Sequence, residues 1–144
     1  MGRIRLGNKP PLTVATTDTA AHAARAMTER RVGAATVMDG DRILGVITER
    51  DMLEKVVAAG RVAQDTPVAA IMTSPALSVG LKATVDEAAE LMRKHHIRHL
   101  VVVDERGRLV GMLALRYLLY ELMDEMERSV GDLVGYIMTD GPGG

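Results

Sequence analysis

The chain repeats itself, and that constrains its fold more than any other feature. Residues 12–39 laid over 77–104 without gaps match Leu12 with Leu77, Val14 with Val79, Thr19 with Thr84 and Ala23-Ala24 with Ala88-Ala89. Met27 likewise meets Met92, Val37 meets Val102 and Asp39 meets Asp104. One extra residue in the second turn, Glu105-Arg106-Gly107, restores register, so that Arg42-Ile43-Leu44-Gly45 meets Arg108-Leu109-Val110-Gly111. Two copies of a unit of roughly 65 residues account for most of the 144-residue chain. A period this long, present twice, excludes a helical solenoid and predicts a compact pseudo-two-fold pair.

Each copy reads as β-α-β-β-α, which makes the fold class α+β. A short strand (12–14; 77–79) leads into a helix with apolar positions at spacings of three and four, Val85, Ala88, Ala89 and Met92 in the second copy. Thr84 and Glu87 have the spacing of a capping box at the start of that helix. Two strands follow, 35–38 and 43–48 in the first copy and 100–103 and 109–113 in the second. Polar turns, Asp39-Gly40-Asp41 and Asp104-Glu105-Arg106-Gly107, join them. A second helix closes each copy, over 49–59 ahead of Gly60 and over 115–128. The domains expected are 1–65, 66–130 and a tail, 131–144. The connector 61–75 carries Pro67 and Pro75, and its Val68-Ala69-Ala70-Ile71-Met72-Thr73 recurs as Val134-Gly135-Tyr136-Ile137-Met138-Thr139. The connector therefore reads as a lead-in to the second copy, and residues 1–11 match it poorly. The tail copy is expected to pack where the first copy lacks a lead-in, in the same chain or a partner; the plainer reading is a leftover of duplication.

Composition removes several function classes. With 18 Lys+Arg against 19 Asp+Glu the formal charge is −1, without the basic surplus that coating a nucleic acid requires. Phe and Trp are absent and the three rings are Tyr117, Tyr120 and Tyr136, too few for a base-stacking platform. Zero cysteines exclude disulfides, thiol nucleophiles and thiolate metal sites. No apolar run is long enough to span a bilayer, and the first residues lack a secretory apolar region. A soluble, cytoplasmic protein is expected.

The segment Gly45-Val46-Ile47-Thr48-Glu49-Arg50-Asp51, a strand ending in Gly-h-x-Thr-x-x-Asp after a helix and a Val-rich strand, resembles the CBS domain. Two tandem copies are similar to a CBS pair, or Bateman module, over about residues 10–130. The resemblance implies a site for adenosine-containing ligands between the copies and a regulatory role toward another protein. Read without it, Asp51 stands in the first turn of a helix, where a carboxylate serves either as a ribose-diol acceptor or as a simple dipole partner. Thr48 has the residue type of an N-cap. The second copy departs from the pattern: Ala114 replaces the Thr and Tyr117 the Asp. It has Arg98-His99 where the first has Gly33-Ala34.

In the similar modules of the AMP-activated kinase regulatory subunit, a His-Arg pair at this position reaches phosphate, as does a basic residue one before the Asp position. The resemblance thus implies one crosswise site. Asp51 takes the ribose, Arg98, His99 and Arg116 face the phosphates, and Val46, Thr48, Ala76 and Leu77 line the adenine. The plain alternative makes Arg98 and Arg116 ordinary surface charges. The other cleft, with Gly33-Ala34 and Tyr117, lacks both halves of this chemistry. The basic residues favour AMP, ADP or ATP over S-adenosylmethionine.

His95-His96-x-x-His99 suggests a metal site only if one helix carries all three, and the repeat alignment puts His99 at a strand start instead. No metal site is expected. Neither a nucleophile elbow, a glycine-rich loop before a helix nor a Walker lysine is present, and His22 stands among alanines, so no enzyme is expected. The ten methionines include the repeat-equivalent pairs Met27/Met92 and Met72/Met138, read as core filling. Leu115, Leu118, Leu119, Leu122, Met123 and Met126 make too broad an apolar stripe for one core, and predict a homodimer through the closing helices. The expectation is a non-catalytic adenine-nucleotide sensor without a required cofactor, acting on an unknown protein partner. The alternative is a structural or interaction module with vestigial nucleotide sites.

Overall fold

A computed structural model describes residues 2–7 and 9–137, with side chains described as far as 128. The first repeat consists of β1 (Thr13–Ala15), α1 (Ala20–Arg30), β2 (Ala34–Asp39), β3 (Arg42–Thr48) and α2 (Glu49–Met52), which runs on as a π-helical turn, Leu53–Val57. Short 3-10 turns at Ala63–Asp65 and Val68–Ala70 lie in the connector. The second repeat has β4 (Ser78–Gly80), α3 (Val85–His95), β5 (His99–Val103), β6 (Leu109–Ala114) and α4 (Leu115–Ile137). The β-α-β-β-α order predicted for each copy is the order found.

Each repeat forms one three-stranded sheet, β1-β2-β3 and β4-β5-β6, with the outer lead strand parallel and the hairpin partner antiparallel to the middle strand. The copies agree in their irregularities too. The hairpin ladder slips at Val37/Met38 in one and at Val102/Val103 in the other. Helices α1 and α3 both end on a non-glycine residue in the left-handed region, Arg31 at φ 55° and His96 at φ 54°. Both begin at a threonine cap, Thr19 accepting from the His22 amide and Thr84 from that of Glu87, the latter completing the expected capping box.

Alternation along the middle strand explains why the copies pair. Ala35 and Val37 pack into the core of their own repeat with Ala23, Met27 and Ile47. Ala34 and Thr36 lie on the opposite face of the same strand, also fully covered. A sheet buried on both faces needs a second layer, and here it is the other repeat. Ala34, Val46 and Val101 close the seam, with Ile43, Ala76, Val103, Leu109 and Met112 packed around them.

The lead-in segments differ from expectation. The connector does not serve the second repeat; Val68 and Ile71 are buried in the core of the first. Its backbone is tied there by the Ala20 amide donating to Thr66 (2.7 Å), by the Val68 amide donating to Asp18 (2.8 Å), and by Val46 and Thr73 exchanging amide bonds at 2.9 and 2.8 Å. The poorly matching N-terminal segment fills the equivalent place on the second repeat. The Ile4 amide donates to Ala83 and the Val85 amide to Gly2, both at 3.0 Å, and Ile4 is buried among Val85, Leu100 and Leu118. Each lead-in thus closes the core that its own sequence position does not predict.

Glycine marks both crossings. A Cβ on Gly45 would lie 2.5 Å from the Thr73 carbonyl oxygen, and one on Gly111 would lie 2.7 Å from Leu6 Cδ2. The repeat's paired glycines therefore exist to let a lead-in pass. The connector occupies the place on the first repeat that the tail copy was expected to fill. Residues 134–137 continue α4, while their side chains and residues 138–144 lie outside the described residues, and so does the packing expected of Ile137-Met138-Thr139.

Candidate functional site

The polar centre of the first repeat stands where β3 turns into α2. Thr48 has extended backbone (φ −123°, ψ 166°) and caps the helix, its Oγ1 accepting from the Asp51 amide at 3.2 Å. Asp51 returns the bond: its Oδ2 accepts from the Thr48 amide at 2.9 Å and from the Thr48 hydroxyl at 3.1 Å. Sequence suggested a cap or a dipole partner, and the two residues together form a capping box with Asp at the third helical position.

The other carboxylate oxygen is also occupied. Oδ1 accepts from the Thr73 hydroxyl at 3.1 Å and lies 2.9 Å from Lys55 Nζ. Lys55 donates as well to the Ile71 carbonyl at 3.1 Å. A carboxylate has about four lone-pair positions, and here each oxygen has two donors. Asp51 is 5% exposed, so a buried charge is fully satisfied from within the chain. Sequence reasoning missed Thr73 and Lys55. Lys55 stands four residues beyond Asp51, a spacing that puts both on one helix face. Thr73 is 22 residues away and no local signal points to it.

Of the expected adenine-lining residues, Val46 and Ala76 meet in the apolar seam between the sheets. Thr48 stands two residues beyond Val46, at the end of β3. Leu77 packs instead against the core of the second repeat, its carbonyl accepting from the Val101 amide at 3.1 Å. Thr36, paired with Val46 across the hairpin, is fully buried, and its Oγ1 has no hydrogen-bond partner among the described residues.

The basic group lies on the second repeat. Arg98 and Arg116 are exposed and join no ion pair among the described residues. His99 opens β5 and is largely buried. Burial lowers its pKa below the ordinary 6.5, opposed by the Glu49 carboxylate and assisted by Arg98. Glu49 was not expected at this place. A Cβ on Gly33 would lie 2.6 Å from Glu49 Oε1 and 3.3 Å from His99 Cε1, so acid and imidazole converge where Gly33 has no side chain. No hydrogen bond or ion pair among the described residues joins this group to Asp51. Cavities of 590 and 530 Å³ open elsewhere, against α4 and beside Arg30, and none of the nominated residues lines them.

The histidine series splits as the alignment predicts, because α3 ends at His95, His96 turns left-handed and His99 begins a strand. Among the described residues no group of three His, Asp or Glu side chains could hold a metal ion, and no helix is long and apolar enough to cross a membrane. At the second strand-to-helix corner Ala114 stands in place of the Thr48 hydroxyl, and the phenol of Tyr117 in place of the Asp51 carboxylate.

Two βαββα repeats joined sheet to sheet, with a buried carboxylate at one strand-to-helix corner and none at the equivalent place in the other, define a tandem-repeat α+β module. The CBS domain family model matches residues 4–58 and 68–124, and the chain belongs to that family. It is 32% identical over 125 residues to an uncharacterized protein of Methanopyrus kandleri, covering 81% of this chain and 64% of that one. A protein with CBS domains from Burkholderia ambifaria is 35% identical, with a TM-score of 0.77 over 82% of this chain and 85% of that one. A CBS domain protein from Pyrobaculum aerophilum, solved in complex with AMP, is also 35% identical, with a TM-score of 0.72 over 82% and 95%. Several curated relatives are longer, and the chain spans 22% to 64% of their length.

Proposed function

We propose that this chain is a non-catalytic regulatory module that binds an adenine nucleotide, AMP, ADP or ATP, between its two CBS repeats and signals occupancy to a partner protein. The observation that supports it most is Asp51, a buried carboxylate at the corner where the repeats adjoin, flanked by the Thr48 and Thr73 hydroxyls. Asp51 accepts the ribose hydroxyls, and Val46, Thr48 and Ala76 border the base. Leu77 contributes through its backbone only, since its side chain is spent on the second core. Arg98, His99 and Arg116 take the phosphates. The AMP complex of the similar Pyrobaculum protein supports the ligand class. The corner at Ala114 and Tyr117 offers no ribose carboxylate, which gives one working site per chain.

The module acts in the cytoplasm, where a chain with no cysteine gives up nothing to a reducing environment. It pairs with a second copy through α4, whose Leu119, Tyr120, Met123 and Met126 are all exposed, at 47–64%. Ligand then acts by population shift, favouring the arrangement of the repeats that it bridges.

Thermal unfolding with AMP, ADP, ATP, S-adenosylmethionine and NAD tests the site. A ligand at 100 times its Kd adds about 2.7 kcal/mol, a Tm rise of roughly 5–10 °C at this size. The rise is expected for a phosphorylated adenosine and is lost in Asp51→Ala. Sedimentation of the same samples should show a dimer that Met123→Glu separates. The saturated state of Asp51 favours one other reading, an interaction module with vestigial sites, and no Tm rise with any of the five would count in its favour.

A further inference from the structure

The four donors on Asp51 are not equally replaceable. Those on Oδ2 are the amide and hydroxyl of Thr48, three residues away, and removing them dismantles the cap of α2. Those on Oδ1 come from Lys55 and Thr73, whose side chains reach in from the rim. Lys55 is 40% exposed at its side chain against 7% for Asp51, so its ammonium swings into water with little rearrangement while the carboxylate stays. Lys55 also sits inside the π-helical turn Leu53–Val57, an irregularity that proteins often place at functional positions.

We propose that Lys55 is the resident occupant of the ribose-binding oxygen, and that a nucleoside ligand enters by exchanging its hydroxyls for Lys55 and Thr73 on Oδ1 alone. This deepens the nucleotide reading and rests on it. The exchange makes Lys55 a residue that sets affinity. It also releases the Ile71 carbonyl, so ligand entry loosens the tie between α2 and the connector. Because Oδ2 stays with the cap, the ribose gains one oxygen, and the diol is read through that oxygen.

The test is calorimetric titration of AMP into wild type and Lys55→Met in about 0.5 M salt, where loss of a distant positive charge is screened. Lys55→Met should bind AMP about three- to ten-fold more tightly, the scale of a half-exposed charge-assisted bond no longer competing. The gain should be absent for 2′,3′-dideoxy-AMP, which has no hydroxyl to offer Oδ1. Thr73→Val, which removes the second competitor, should move in the same direction and carries the test if Lys55→Met unfolds. Equal or weaker AMP binding by these variants overturns the exchange and leaves the nucleotide reading standing. An equal gain for the dideoxy ligand also overturns it. Where AMP does not bind, ADP or ATP takes its place in the titration, and failure of all three to bind the wild type overturns both.

Discussion

The two strand-to-helix corners of this molecule are built on one plan and filled with different chemistry. At the first, Thr48 and Asp51 make a reciprocal cap and Asp51 collects Lys55 and Thr73. At the second, Ala114 and Tyr117 make no such bonds, yet α4 runs for 23 residues while α2 is four residues and a π-helical turn. The helix at this corner does not need a polar cap in order to form. What the fold does need is present twice: the glycine under each lead-in, the hairpin slip, the left-handed helix ends. The features found once are Asp51 with its donors in one copy and Arg98 with His99 in the other, and they are the residues assigned to the proposed ligand.

The largest effects test the architecture that the corners share. Ile71→Ala and Ile4→Ala each remove a buried branched side chain and should cost about 2–4 kcal/mol in urea unfolding. Hydrogen exchange decides where the loss falls. Ile71→Ala should loosen β2 and Ile4→Ala should loosen β5, and the reverse pattern would refute the crosswise closure by the lead-ins.

A smaller effect tests the difference directly. Placing Thr at 114 and Asp at 117 together restores the cap at the second corner and should add about 1 kcal/mol to stability. No gain by urea unfolding would mean that the second corner is not geometrically equivalent to the first.

The smallest effect concerns His99, which stands where the first repeat has Ala34. Its folded pKa lies below the unfolded value because burial disfavours the charged ring. The unfolded chain therefore takes up a proton first as pH falls, and the stability contributed by neutral His99 is present above about pH 6.5 and lost below it. Tm measured from about pH 8 to 5 should fall faster for the wild type than for His99→Gln. Parallel profiles would show that the Glu49 carboxylate offsets the burial of the ring.

Much of this was legible from residues alone. The spacing of Thr84 and Glu87 announced a cap, the alignment moved His99 off the helix of His95, and the Gly-h-x-Thr-x-x-Asp segment located Asp51. The lead-ins misled because the connector runs directly into the second repeat, and adjacency in the chain suggests that it belongs there. The core of the first repeat claims it instead, since Val68 and Ile71 complete the layer over Ala23 and Met27. The resemblance assigns Leu77 to the cleft together with Ala76, but successive residues of an extended chain face opposite ways, and the two side chains part.

The sequence by itself determined the duplication, the order of elements in each copy, the caps and turns, and the residue types at the polar corner. These are matters of a few neighbouring residues, where dihedral preference, periodicity and local hydrogen bonds decide. Tertiary structure alone decided which core each lead-in closes, that Thr73 reaches Asp51, and that Glu49 faces His99 across the missing side chain of Gly33. Those depend on which surfaces meet once both sheets are covered. The segments that meet are far apart in the chain, and only the packing of two layers fixes the distance between them.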